Sequence, residues 1–227
     1  MKGGKIVHEF LTLLVETLPR FLPALGKTLQ ITILGLLLAM PIGLLVCLAR
    51  LSRHQFLQGI AAFLVWIIRS TPMIVQAFFL YFGIPSVIHQ QINSTTAGII
   101  IIMLNAGAYL SEIFRGGILA IPIGQTEAAR SLGMTASHTL FKVVLPQAFR
   151  VVIPSVVNQF IISFKDTSIL SVIGTDELVK MTRGIISYNY RTFEMWIIVA
   201  LYYILSVSVL TFFAQRLERR LRYGTKD

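Results

Sequence analysis

Long apolar runs leave this chain few choices of fold. From Leu22 to Leu48 it carries one charged residue, Lys27. Further apolar runs cover Phe56 to Ile68, a segment onward to about Phe82, Thr96 to Ile118, Gln147 to Phe164 and Phe193 to Phe213. A bilayer's hydrocarbon core is about 30 Å thick, which about 20 helical residues cross. Helices satisfy their own backbone in lipid, whereas open strands do not. The expected fold class is an all-α membrane protein of about five transmembrane helices with a cytoplasmic two-helix loop, built as one membrane domain over residues 1–227. Composition agrees, since only 13% of the residues are charged, against about a quarter in soluble domains.

The formal charge of +10 raises the question of nucleic acid. The basic residues are not gathered on a soluble face with interleaved aromatics, so no nucleic-acid partner is expected. They lie beside the apolar runs, as orientation signals do. Arg50 and Arg53, then Arg115, Arg130, Lys142 and Arg150, then Arg216, Arg219, Arg220, Arg222 and Lys226 fall on one side; Lys2, Lys5, Arg20, Lys27, Lys165, Lys180, Arg183 and Arg191 fall on the other. The first set is larger and more juxtamembrane. It puts the C-terminus in the cytoplasm, with residues 214–227 as a basic tail against anionic headgroups, and the N-terminus outside. Residues 1–20 have apolar positions near helical spacing and read as an interfacial helix, interrupted by Pro19 and Pro23. They do not have the pattern of a cleavable signal peptide. Cys47 is alone in an apolar run, and His8, His54, His89 and His138 share no ligand spacing, so no metal site is expected.

Polar residues inside the runs are the candidates for function. Asn105, Tyr109 and Glu112 share one face of the third span. An ionisable Glu112 within the bilayer is by default a functional group, and this face can offer acceptors and a donor to a solute. The other reading places Glu112 at the cytoplasmic end, paired with Arg115. Arg69-Ser-Thr-Pro72 is costly at mid-bilayer. Thr71 as N-cap and Pro72 at the first helical position would start a new segment there, though a single kinked span also fits. Lys165-Asp166-Thr167-Ser168 ends the fourth span in a charged turn. Gln76, Asn158 and Gln159 suit interhelical hydrogen bonds. Ala39 with Gly43 gives the first span a small face, and Thr175, followed by Asp176 and Glu177, is the expected cap of an amphipathic outer helix.

Residues 116–154 form the longest charged break. Glu127 to Leu132 reads as a short helix stopped by Gly133, and Thr135 or Ser137 caps a second one that ends at Pro146. Glu127-Ala128-Ala129, three residues, Gly133, nine residues and Val143-x-Leu145-Pro146 resemble the cytoplasmic loop of ABC importer permeases, with Val143 where the pattern prefers Ile. Arg69-Ser-Thr-Pro72, Tyr81-Phe-Gly83, Arg115-Gly-Gly117, Gly124-Gln125 and Lys165-Asp-Thr-Ser168 narrow the resemblance to polar amino acid permeases.

The resemblance implies an inner-membrane subunit that imports polar or charged amino acids, arginine or histidine among them, by alternating access. It implies ATPase subunits docking on Gln125, Glu127, Ala128, Ala129, Arg130 and Gly133, with Glu127 pairing a basic residue and Ala128 and Ala129 allowing close approach. It also implies a second permease subunit, identical or not, and an extracytoplasmic amino-acid-binding protein. The substrate pathway is expected at Gln76, Asn105, Tyr109, Glu112, Lys165, Asp166, Thr167 and Ser168. The chain has no Gly-x-x-x-x-Gly-Lys-Ser/Thr loop, so ATP and Mg would be bound by the partner ATPase, and the chain itself is expected to hold no cofactor and to be no enzyme. An ion-coupled secondary transporter with Glu112 or Asp166 as proton site, and a passive assembly subunit, are the competing readings.

Overall fold

A computed structural model describes residues 2–222, with side chains from His8 to Arg216. The side chains of Lys2, Lys5, Arg219, Arg220 and Arg222, and all of Lys226, lie outside the described residues. All regular structure among the described residues is helical. Four helical stretches are long and apolar enough to span a bilayer, His8–Arg50, Ser94–Leu119, Ala136–Ile173 and Thr192–Arg216, and a bent pair, Gln55–Ser70 with Met73–Ile88, makes a fifth.

The first helix, α1 (Lys2–Arg50), contains Pro19, Pro23 and Pro41 without a break. The expected interruption at Pro19 and Pro23 is therefore corrected. Each proline removes one backbone bond, which a long helix flanked by packed neighbours tolerates. Leu13, Phe21 and Ala24 are buried with Leu178, Ile185, Met195 and Ile198 of the last two helices, so the N-terminal half of α1 has packing partners of its own. His8 to Arg50 would measure about 65 Å, roughly twice the hydrocarbon thickness.

The pair α2 (Gln55–Ser70) and α3 (Met73–Phe78) follows, and a π-helical turn, Phe79–Gly83, leads into α4 (Ile84–Ile88). The central helix α5 (Ser94–Leu119) starts under an Asn93 cap, whose Oδ1 accepts from the Thr95 N–H at 2.8 Å. It packs chiefly on α1. In lipid, apolar burial alone does not hold helices together, so close approach of small residues must. An added Cβ at Gly43 would sit 2.9 Å from the Leu110 Cβ and 3.0 Å from the Gly107 carbonyl oxygen. Beside it Ala39 is buried with Leu36, Ala106 and Leu110. The small face expected at Ala39 and Gly43 is thus the α1–α5 contact.

Beyond the loop of α6 (Ile123–Ser131) and α7 (Ala136–Thr139), a π-helical turn, Leu140–Val144, runs straight into α8 (Leu145–Asp166). Pro146 does not end the second loop helix; it follows the π turn inside a helical stretch that runs from Ala136 to Ile173. The wider π turn lies just before the ring, and the loop's second limb is the start of a span. A 3₁₀ segment, Thr167–Ile173, then reaches Gly174, and α9 (Leu178–Asn189) and α10 (Thr192–Arg222) complete the chain.

Glu177, not Thr175, caps α9: its carboxylate accepts from the Val179 and Lys180 N–H groups at 2.9 and 2.7 Å. Thr175 instead donates to the Ser94 carbonyl at 3.3 Å, tying this corner to the start of α5, and Asp176 pairs with Lys180 at 2.7 Å.

Candidate functional site

The site grows from the break between α2 and α3, where the chain bends by 104° between Gln55–Ser70 and Met73–Ile88. Thr71 is extended and Pro72 is the N-cap residue of α3, one position later than the sequence suggests. The Thr71 hydroxyl therefore does not cap α3; it donates back to the Ile67 carbonyl at 2.9 Å. Gln76, one turn into α3, closes the corner by donating to the Ile68 carbonyl at 2.7 Å and to the Thr71 carbonyl at 3.0 Å. Its own Oε1 accepts from Asn105 Nδ2 on α5 at 3.3 Å. A polar hinge is thus fixed against the middle of the central helix. Asn105 stands eleven residues after Ser94 and fourteen before Leu119, or about 17 and 21 Å along the axis.

Over this hinge opens a cavity of about 500 Å³, bounded by Arg69, Thr71, Asn105, Tyr109, Gln159 and Asp166, with Met73, Ile162 and Ile169 as apolar wall. It combines amides, hydroxyls, one guanidinium and one carboxylate at mid-span. That mixture suits a small zwitterion better than an apolar solute. A second cavity of about 400 Å³ lies towards the α6 end of α5, bounded by Arg50, Trp66, Arg69, Ser70, Tyr109 and Glu112. Arg69, Ser70 and Tyr109 border both cavities, so they form the wall between them. The Arg69 guanidinium lies over the Tyr109 ring, 5.2 Å from its centroid.

Glu112 is the centre of an ion cluster. Arg50, from the end of α1, bonds its Oε1; Arg115 Nη2 holds Oε2 at 3.0 Å; Arg69 Nη1 stands 3.4 Å from Oε1. Both sequence readings of Glu112 contain part of this: it borders a cavity, and it pairs with Arg115. Neither includes Arg50 or Arg69. The signal available in the sequence was that Glu112 is the only acid between Glu16 and Glu127, a stretch that also holds Arg50, Arg69 and Arg115.

The expected pathway residues divide. Asn105, Tyr109 and Asp166 border the larger cavity and Gln76 braces it. Glu112 borders the smaller one. Thr167 is buried and donates to the Phe164 carbonyl at 2.6 Å, closing the turn after α8. Lys165 is exposed and Ser168 half-buried, and neither bounds a cavity described above. Gln159, read from sequence only as a helix-to-helix amide, is buried against the cavity and donates to Ser163 Oγ at 3.3 Å.

At the other end of α5, the elbow takes its shape from Gly133, whose φ of +82° lies where only glycine is unstrained. The Met134 N–H bonds the Ala129 carbonyl at 3.2 Å and the Gly133 N–H bonds the Arg130 carbonyl at 3.0 Å, the paired bonds of a Schellman stop. Thr135 caps the next helix by accepting from the His138 N–H at 3.3 Å. Gln125 and Gln147 tie the limbs together at 3.3 Å. Ala129 is corrected: at 5% exposure it is the elbow's own core and offers a partner no surface. Gln125, Glu127, Ala128 and Arg130 are exposed. Ile123 and Leu132, 71% and 84% exposed, flank them, two exposed apolar side chains that the sequence reading passed over.

A helical chain with about five spans, a broken second span and an exposed elbow has the architecture of an importer's membrane subunit. The chain belongs to the family described as binding-protein-dependent transport system inner membrane component, whose model matches residues 28–223. It is 40% identical over 206 residues to the glutamine transport system permease protein GlnP of Escherichia coli strain K12, covering 90% of this chain and 94% of that one. It is 34% identical over 210 residues to the arginine transport system permease protein ArtQ of Bacillus subtilis, covering 92% and 95%. A crystal structure of an amino acid ABC transporter with histidines superposes with a TM-score of 0.88 at 36% identity, over 93% of this chain and 98% of that one. The chain is accordingly a multi-pass membrane protein of the permease class.

Proposed function

We propose that this chain is the pathway subunit of an ATP-driven importer of polar amino acids. The observation that carries the reading is the mid-span cavity, where Asp166 can accept from an α-ammonium and Asn105, Gln159 and Thr71 can match a polar side chain. The substrates named for its relatives, glutamine and arginine, support that class. The superposing amino acid ABC transporter favours ATP over an ion gradient as the energy source.

In this reading two permease subunits face each other, and ATPase subunits that bind ATP and Mg dock on the elbows. Glu127 supplies the ion pair, Ala128 the close approach, Gln125 and Arg130 the polar rim, and Ile123 and Leu132 the apolar anchors. Gly133 sets the angle at which these are presented. The binding protein docks on the opposite face, where α9 lies. The distribution of Lys and Arg puts the elbow and C-terminus in the cytoplasm and the N-terminus outside. Closure of the ATPase pair would turn the elbows and, through α8, open the cavity alternately to each side. Lys165, exposed at the end of α8, is covered by the second permease or by the aqueous path, since a bare ammonium in lipid is costly. Thr167 and Ser168 hold the turn that places Asp166.

The test is uptake of radiolabelled amino acids by cells lacking other polar amino acid importers and supplied with this permease, its ATPase and its binding protein. At least one polar amino acid is expected to accumulate, and Asp166→Asn to lower that uptake at least about tenfold. Absence of uptake for all twenty, with the complex assembled in the membrane, contradicts the reading.

A further inference from the structure

We propose that Arg69 is the residue that takes the substrate's α-carboxylate, an assignment that rests on the amino acid reading of the larger cavity. An α-amino acid brings a carboxylate and an ammonium on one carbon, so a site for it needs a cation and an acceptor on the same cavity. The cavity has one of each charged type: Asp166 and Arg69.

Arg69 is also the least committed of the guanidinium groups in the cluster. Glu112 has two oxygens; Arg50 already bonds Oε1, and Arg115 takes Oε2 through both Nε and Nη2 at 3.0 Å. Arg69 approaches only to 3.4 Å and keeps 42% of its side chain exposed. Three guanidiniums around one carboxylate leave a surplus of positive charge, which in a membrane interior an arriving anion would offset. The Tyr109 ring, 5.2 Å away, supports the guanidinium by its face, a contact that does not use the N–H groups. Their fork matches a carboxylate two bonds at a time. Because Arg69 ends α2 and borders both cavities, it can bind a carboxylate in the larger cavity while Glu112 remains held by Arg50 and Arg115.

The measurement is calorimetric binding to the detergent-purified complex of this permease with its ATPase, first with each of the twenty L-amino acids. The one that binds most tightly is then compared with its α-carboxamide, which keeps the ammonium and side chain but lacks the anion. The native complex is expected to favour the acid by at least about tenfold. Arg69→Gln is expected to bring acid and amide within about twofold of each other, with the amide's own affinity little changed, and Arg69→Lys to retain part of the preference. An unchanged acid-to-amide ratio in Arg69→Gln overturns the assignment, and so does equal loss of both ligands in Arg69→Gln and Arg69→Lys. If no amino acid binds the native complex, the amino acid reading of the cavity falls, and this inference with it. If Arg69→Gln does not assemble, Arg69→Lys decides by the same ratio.

Discussion

Glu112 shows how much a single side chain organises here. It joins α1, α2 and α5 through Arg50, Arg69 and Arg115. Glu112→Gln leaves those guanidiniums facing one another with no counter-charge, and is expected to destabilise the permease by about 2 kcal/mol or more, read as a lower melting temperature in detergent. Asp166→Asn sits on the cavity instead and is expected to weaken substrate with little change in melting temperature. Glu177 gives a pH test. Burial pushes its carboxyl up to about 7, against the two backbone N–H groups, the Tyr203 hydroxyl and nearby Lys180, which favour the charged form. A raised carboxyl contributes stability that is full below about pH 4.5 and is lost as pH rises to about 7, beyond which the contribution is flat. The difference in melting temperature between the native permease and Glu177→Gln is expected to change across that window and level off above it. The α5 stripe was legible from sequence because Asn105, Tyr109 and Glu112 repeat at helical spacing. The partners were not: Arg50 lies 62 residues from Glu112, and no local pattern states which arginine a folded chain will bring to a carboxylate.

At the scale of elements, the elbow and the α1–α5 seam make the sharper claims. Gly133→Val puts a β-branched residue at a φ of +82° and removes the stop that orients α6. Glu127→Lys inverts the charge on its exposed surface. Both variants are expected to insert normally yet lose transport and substrate-stimulated ATPase activity; normal coupling in both would separate the elbow from the ATPase. At the seam, Gly43→Val drives a side chain into the backbone at Gly107 and is expected to cost about 1–3 kcal/mol, measured by thermal unfolding. The Gly133 stop and the Thr135 cap could be read directly, since turn chemistry is local. Continuity could not. Pro19, Pro23 and Pro146 read as breaks in isolation, but flanking hydrogen bonds, packing on α9 and α10, and a π turn before Pro146 keep the helices intact. The corner at Ser70 was placed by Pro72 to within one residue, because the residue before a proline avoids helical geometry.

For the whole molecule, the number of spans and the membrane setting followed from the length of the apolar runs alone. The cavities did not, because the larger collects residues from α2, α5 and α8 and the smaller from α1, α2 and α5, all distant in sequence. What joins the scales is a division of labour: a polar cavity at mid-span, an ion cluster beneath it, and an elbow that α8 connects to the cavity's Gln159 and Asp166. In the proposed account the energy for transport comes from an ATPase that turns the elbow. Proteoliposomes containing the permease with its ATPase subunits, and its binding protein outside, measure this most directly. Accumulation of a labelled polar amino acid only when ATP is present with the ATPase is the expected result; accumulation driven by a proton or sodium gradient without ATP would contradict it.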